Sequence, residues 1–183
     1  MLGSTLSTPI HAIEYERNSQ KLIANPMIRM IAACARNRVM GINGTLPWKI
    51  ACDWNHFLET TKDGVLIMGR RCYEDFVEHA RNRQVIALSR NPNHVFAHAQ
   101  RADTLSSALK MASKISRNTW ICGGEEIYRE AMPICEELHL TKIDADFNGD
   151  AYFPSWEEYF PLEVSRHKVN CEGYSLTFLL LKK

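Results

Sequence analysis

The chain has 183 residues, 45% of them hydrophobic and 23% charged, and 22 basic against 21 acidic side chains leave a formal net charge of +1. That balance fits one ordinary globular domain with a real core. Without a basic block it argues against nucleic acid or an anionic membrane surface as the main partner, and no apolar run approaches the roughly 18 residues of a membrane span.

Residues 1–26, MLGSTLSTPIHAIEYERNSQKLIANP, lack the long apolar segment of a secretory signal, and Glu14 and Glu16 suit a mitochondrial transit peptide poorly. They are read as a poorly ordered N-terminal extension, ahead of a single folded domain at 27–183. From Met27, MIRMIAACA is a short strand, apolar on both faces and ended by the polar RNR. CDWNHFLETT has helical spacing, with Trp54, Phe57, Leu58 and Thr61 on neighbouring faces. GVLIMG is a second buried strand, RRCYEDFVEH a helix, and RQVIALSR a third strand. TLSSALKMAS is a helix whose start is marked by Thr104 after Asp103. NTWICGG gives another strand, EEIYREAM a helix closed by Pro133, and ELHLTKIDADF and YSLTFLLLKK the last two strands. Short apolar strands alternating with helices predict a single-domain α/β fold, with a mostly parallel sheet, helices on both faces and an antiparallel C-terminal edge.

Cys34, Cys52, Cys72, Cys122, Cys135 and Cys171 show no C-x-x-C pair, and several sit inside apolar runs. They are read as free thiols packed as small hydrophobes, in a reducing, cytoplasmic setting.

The stretch GINGTLPWKIACDWNHF, residues 41 to 57, sets one acid, Asp53, among Trp48, Ile50, Ala51, Trp54 and Phe57. Asp53 and Phe57 are four apart and share a helix face. Two readings stay open: the acid supports the helix N-terminus through the macrodipole, or a pocket holds one carboxylate out of water for a ligand with two adjacent N–H donors, as in an amidine or aminopyrimidine. His56, three positions along, is read as a surface or core residue rather than a base.

Gly69, Arg70 and Arg71 lie between a strand and a helix, Ser89 and Arg90 end the next strand, and Gly123 and Gly124 precede another helix. Backbone amides and cations at successive strand ends suit a dinucleotide. There is no G-x-G-x-x-G, G-x-S-x-G, H-E-x-x-H, C-x-x-C or P-loop, and no metal-ligand spacing among the His residues.

In order and spacing, IAACARNRVMGINGTLPWKIACDWNHF, VLIMGRRCYE, VIALSR, CGGEEIY and LHLTKIDADFNGDAYFP resemble the dihydrofolate reductases, over residues 28–183. The resemblance implies a central mixed sheet of about eight strands, a monomer, and NADPH-dependent reduction of 7,8-dihydrofolate to tetrahydrofolate for one-carbon metabolism. It implies that Asp53 holds the pterin, supported by Thr141, with Trp48 ordering a nearby water. Ile31 and Cys122 would offer backbone carbonyls to the pterin amino group, with Trp54, Phe57 and Phe76 packing around the ring. Arg83 would pair with the glutamate α-carboxylate, Arg81 being a second candidate. Ala33, Met40, Gly41, Gly44, Thr45 and Leu46 would contact and cover the nicotinamide, bordered by Tyr128. Gly69, Arg70, Arg71, Cys72, Leu88, Ser89 and Arg90 would hold the phosphates, favouring NADPH over NADH. Gly123 and Gly124, joined by a cis peptide, would let the cofactor approach, followed by Glu125, Glu126 and Ile127.

The chain departs from the family pattern in several places. Cys72 replaces a usual Thr, Glu125 adds negative charge near the phosphates, Trp54 is bulkier than the usual aliphatic residue, and Ala151 lacks a hydroxyl. A riboflavin-pathway pyrimidine reductase and a non-catalytic folate-binding homologue stay open as other readings.

Overall fold

The computed structural model describes residues 26–183; the expected N-terminal extension, up to residue 25, lies outside the described residues. Ten strands and four α-helices follow in the order β1 (Met27–Ala35), β2 (Val39–Gly41), α1 (Ala51–Thr60), β3 (Val65–Gly69), α2 (Arg70–Phe76), β4 (Gln84–Leu88), β5 (Gln100–Ala102), α3 (Leu105–Ala112), β6 (Asn118–Ile121), α4 (Glu125–Ala131), β7 (Glu137–Ile143), β8 (Ala151–Tyr152), β9 (Leu162–Cys171) and β10 (Tyr174–Lys182).

Eight strands form one sheet in the order β5-β4-β3-β6-β1-β7-β10-β9. All pairings from β5 to β7 are parallel, and β10 and β9 close the edge antiparallel. Strands buried on both faces need mostly apolar side chains, and β3 supplies them throughout, β1 everywhere but Arg29 and β6 at Trp120 and Ile121. Met30, Ala32, Ile67 and Ile121 pack on one face against α3 and α4 through Leu105, Ala108 and Ala131. Ile31, Leu66, Met68 and Trp120 pack on the other, against Tyr73 and Phe76 of α2 and Trp54 and Phe57 of α1.

The helix expected over RRCYEDFVEH is α-helical only to Phe76 and tightens to a 3₁₀ helix over Val77–Asn82. Thr104 caps α3 as expected: its hydroxyl accepts from Ser107 N, and the Ser107 hydroxyl reaches back to the Thr104 amide. Strand β9 had no counterpart in the apolar pattern, because seven of its first seven residues face water. No helix among the described residues is long and apolar enough to cross a membrane.

The cysteines need a correction. Cys34 and Cys135 are buried free thiols and Cys72 and Cys122 half-buried ones, but Cys52 and Cys171 are joined as a disulfide. The pair is 119 residues apart in sequence. Only the docking of the β9–β10 hairpin on α1 brings the two thiols together, a proximity that no local spacing records.

Gly64 lies under the Trp120 indole at the entry to β3. A Cβ there would strike the ring and come within 3.0 Å of the Asn118 carbonyl. Overpacking of this kind costs about 1–3 kcal/mol. Gly64→Ala is expected to lower the urea midpoint accordingly, with the m-value unchanged.

Candidate active site

Helix α1 begins at Ala51 without help from its own N-cap, since Ile50 has no side chain able to accept. The acceptor comes from elsewhere: Glu172 Oε2, on the β9–β10 turn, takes the Ala51 N–H at 3.1 Å. Asp53 is thereby free of the capping task, though its charge still lies in the positive first turn. Its side chain points inward and is 7% exposed.

The Trp48 indole N–H donates directly to Asp53 Oδ2 at 3.3 Å, and the buried Thr141 on β7 stands beside the carboxyl. Burial pushes the Asp53 pKa above the usual carboxylate range, while Thr141 and Trp48 pull it back. Next to it, Trp54 and Phe57 stack with centroids 5.6 Å apart, and Phe76 meets Phe57 edge-on at 5.8 Å. One acid therefore looks out of an aromatic wall.

Across the cleft the backbone is bare. Gly123 and Gly124 are joined by a cis peptide, and Gly123 has φ +110. The Gly69 N–H donates to Gly123 O at 2.7 Å, tying β3 to β6. A Cβ on Gly69 would press on Ile127 at 3.1 Å, and one on Gly123 on the Tyr128 ring at 3.2 Å. The Tyr128 hydroxyl is buried and donates to Ile31 O at 2.7 Å. That carbonyl keeps a second lone pair for a ligand.

Three guanidiniums at the outer end arrive already paired. Arg70 binds Glu74 at 2.7 Å, Arg90 binds Glu126 at 2.9 Å, and Arg129 binds Glu125 at 2.7 Å. Glu125 also accepts the Tyr152 N–H of β8 at 3.0 Å. The loop over the cleft turns at Asn43 (φ 53) and Gly44 (φ 87), and the Asp150 carboxylate holds the Asn43 N–H at 3.1 Å.

These groups line one cleft of about 1140 Å³. Of the site residues named from the sequence, all but Trp48, Arg83 and its alternative Arg81 face it. Trp48 backs Asp53 from behind. Arg83 lies in a separate cavity of about 300 Å³ and donates to the Thr61 carbonyl and, at 2.7 Å, to its hydroxyl. Arg81 pairs with Glu78 at 3.7 Å on the surface. His56, set aside in the sequence, does line the cleft, stacked on Phe178 at 4.1 Å, and burial lowers its pKa. Its position three residues after Asp53 was the available signal. Asp103 and Thr104, noted only for their part in α3, also face the outer end.

The dihydrofolate reductase family model matches residues 27–183. The dihydrofolate reductase type 3 of Salmonella typhimurium is 33% identical over 163 residues, covering 86% of this chain and 98% of that one. The dihydrofolate reductase of Neisseria meningitidis serogroup A is 34% identical over 158 residues, covering 83% and 95%. Among solved structures, the Enterococcus faecalis dihydrofolate reductase complexed with NADP(H) and RAB-propyl superposes with a TM-score of 0.78 at 28% identity, over 86% of this chain and 96% of that one.

The chain belongs to the dihydrofolate reductase family. For a dihydrofolate reductase, the departures at Glu125 and Cys72 now have a setting. The Glu125 charge is spent on Arg129 and on the β8 backbone rather than left loose. Cys72 stands beside Gly124, and burial pushes its thiol up to about 11, so it is neutral near pH 7.

An acid whose folded pKa is raised destabilises the folded state once pH exceeds its unfolded pKa, about 3.9 for Asp. Asp53→Asn keeps an acceptor for Trp48 and removes the charge. The variant is expected to have a higher urea midpoint than the parent at pH 7, the gain shrinking as pH falls through that range. A lower midpoint at pH 7 counts against the burial argument.

Proposed function

We propose that the protein reduces 7,8-dihydrofolate to 5,6,7,8-tetrahydrofolate with NADPH, by hydride transfer to C6 and protonation at N5. The observation that carries this reading is a lone, desolvated carboxylate held by an indole N–H, facing a glycine-bared backbone across one cleft. Bound there, the reduced nicotinamide supplies the hydride. The residues present fit such a group: Gly69, Gly123 and Gly124 line the cleft with no side chain of their own, and three guanidiniums stand at the outer end.

In this reading Asp53, supported by Thr141, pairs with the two adjacent nitrogens of the pterin edge, and its charge stabilises the cation that develops as N5 takes a proton. The carbonyls of Ile31 and Cys122 receive the pterin amino group. Trp54, Phe57 and Phe76 pack on the substrate, and the loop through Leu46 sheds water from the reacting face. Arg83, oriented by Thr61, takes the glutamate α-carboxylate. Arg70, Arg71, Ser89 and Arg90 read the phosphates. The reading carries with it a cytoplasmic monomer, a setting that four free thiols among the described residues suit and the Cys52–Cys171 disulfide does not.

Two measurements test it. Adding dihydrofolate to protein and NADPH is expected to bleach the NADPH absorbance, and a diaminopyrimidine antifolate to block the loss. Asp53→Asn should lower the rate of hydride transfer by about 10²-fold or more, with NADPH affinity nearly intact; near-normal turnover at pH 7 refutes the role of the acid.

The Arg90–Glu126 pair gives a separate outcome. Arg90→Gln is expected to narrow the ratio of kcat/KM for NADPH over NADH on the order of tenfold, while Glu126→Gln, which releases Arg90, widens it. Unchanged ratios in both exclude Arg90 as a phosphate reader.

A further inference from the structure

The turn between β9 and β10 lies outside the cleft, yet three of its residues converge on the start of α1. Cys171 is bonded to Cys52, with Cα atoms 6.4 Å apart. Glu172 accepts the Ala51 N–H at 3.1 Å. Tyr174 packs on Phe147 at 5.8 Å, and Phe147 on Trp48 at 5.2 Å, the residue whose N–H holds Asp53. Ala51, Cys52 and Asp53 are consecutive, so the turn grips the helix at the residues that carry the acid.

The turn itself is built for this. Glu172 (φ 53) and Gly173 (φ 83) are both left-handed, as a two-residue hairpin loop requires. Gly is free there, but Glu is an uncommon choice at such a φ. Its carboxylate compensates by supplying the cap that Ile50 lacks. Strand β9 is a sheet edge, paired only to β10. At the base of the turn the Asp144 N–H donates to Ser175 O at 2.9 Å, and Cys171 and Tyr174 pack against the cluster of Trp48, Ile50, Ile143 and Leu176.

We propose that the β9–β10 turn is a thiol-governed clamp on Asp53, with Cys171 and Glu172 as positioning residues; this rests on the reductase reading above. The covalent bond fixes the helix start against the turn, and Glu172 and the aromatic stack complete the register. A small dithiol opens it. One thiolate attacks a sulfur of the Cys52–Cys171 bond, giving a mixed disulfide and one free cysteine. The second thiol then displaces the other cysteine. The dithiol leaves as a cyclic disulfide, and its two electrons and two protons end on Cys52 and Cys171. Both cysteines are half-buried, within reach of such a reagent. With the bond open, the helix start keeps the apolar packing of Trp48 and Ile50 but loses its covalent tie to the turn, leaving the exposed Glu172–Ala51 contact, which salt screens.

The test uses the full chain purified without reductant. Alkylation of the unfolded protein is expected to label four of its six cysteines before dithiothreitol and all six after; six labelled beforehand overturns the clamp. Single-turnover hydride transfer at saturating NADPH and dihydrofolate is expected to fall about tenfold on reduction, with a shifted pH profile, greater salt sensitivity and unchanged NADPH affinity. A Cys52→Ser/Cys171→Ser double variant should match the reduced protein and ignore dithiothreitol, which removes the other four thiols from consideration. In that background Glu172→Ala should slow transfer further, and Glu172→Gln, which keeps an acceptor oxygen, should restore most of the loss. Equal rates and pH profiles in the oxidised and reduced protein overturn the clamp alone. NADPH affinity falling in step with the rate also overturns it, since that reports general loosening. A protein that turns over no dihydrofolate in either the oxidised or the reduced state overturns the reductase reading and the clamp with it, while one active only after reduction overturns the clamp alone.

Discussion

A carboxylate taken out of water must find compensation or give up its charge, and much of this molecule is arranged around the one that does neither completely. Asp53 has one indole donor and a neighbouring hydroxyl, and no cation pairs with it among the described residues. The helix it sits on takes its cap from a different strand pair, the carboxylate oxygens are left facing the cleft, and the aromatic residues around them keep the local dielectric low. In the proposed reading, a cationic heterocycle with two parallel N–H groups completes what the protein leaves unfinished. Catalysis by this chain is then mainly a matter of where one charge is held and how dry its surroundings are.

The sheet explains why the opposite wall can be so bare. Parallel strands bring all their carboxyl ends to one edge, where β3 ends at Gly69 and the chain leaving β6 reaches Gly123 two residues after Ile121. The Gly69 N–H to Gly123 O bond closes the gap between those ends without any side chain. Tyr128, one turn into α4, uses its hydroxyl to fix the Ile31 carbonyl at the end of the same row. Bareness on one side and a fixed carbonyl on the other are complementary results of a single strand order.

What could be read in advance follows the physics of burial. β1, β3 and β6 are legible as largely apolar runs because water reaches little of either face, β7 shows instead an alternation of apolar and polar residues, and β1 matches MIRMIAACA residue for residue. β2, β5 and β8 span three residues or fewer, too short for any period to register. β9 is an exposed edge strand, where polar and charged side chains are the stable choice. At the site, Asp53 stood out as an unpartnered acid and the glycine pair as a break between strand and helix, whereas individual roles came through the resemblance. The Cys52–Cys171 bond, the Glu172 cap and the Glu125 contact with Tyr152 are all long-range meetings, and nothing local in the chain announces them.

The outer end of the cleft shows how a chain with almost no net charge can still be prepared for phosphate. Arg70, Arg90 and Arg129 each carry a carboxylate from the same neighbourhood, and all three guanidiniums are largely exposed. Exposed pairs of this kind contribute little to stability, so an incoming dianion can replace the carboxylates at small cost. Until then the pairs hold the guanidiniums in place and spare the fold their mutual repulsion. Arg71 differs: among the described residues it makes no salt bridge, and its aliphatic stem lies beside Gly44 in the loop over the cleft. Resting beside Gly44, Arg71 links the charged end of the cleft to the loop above it in one side chain.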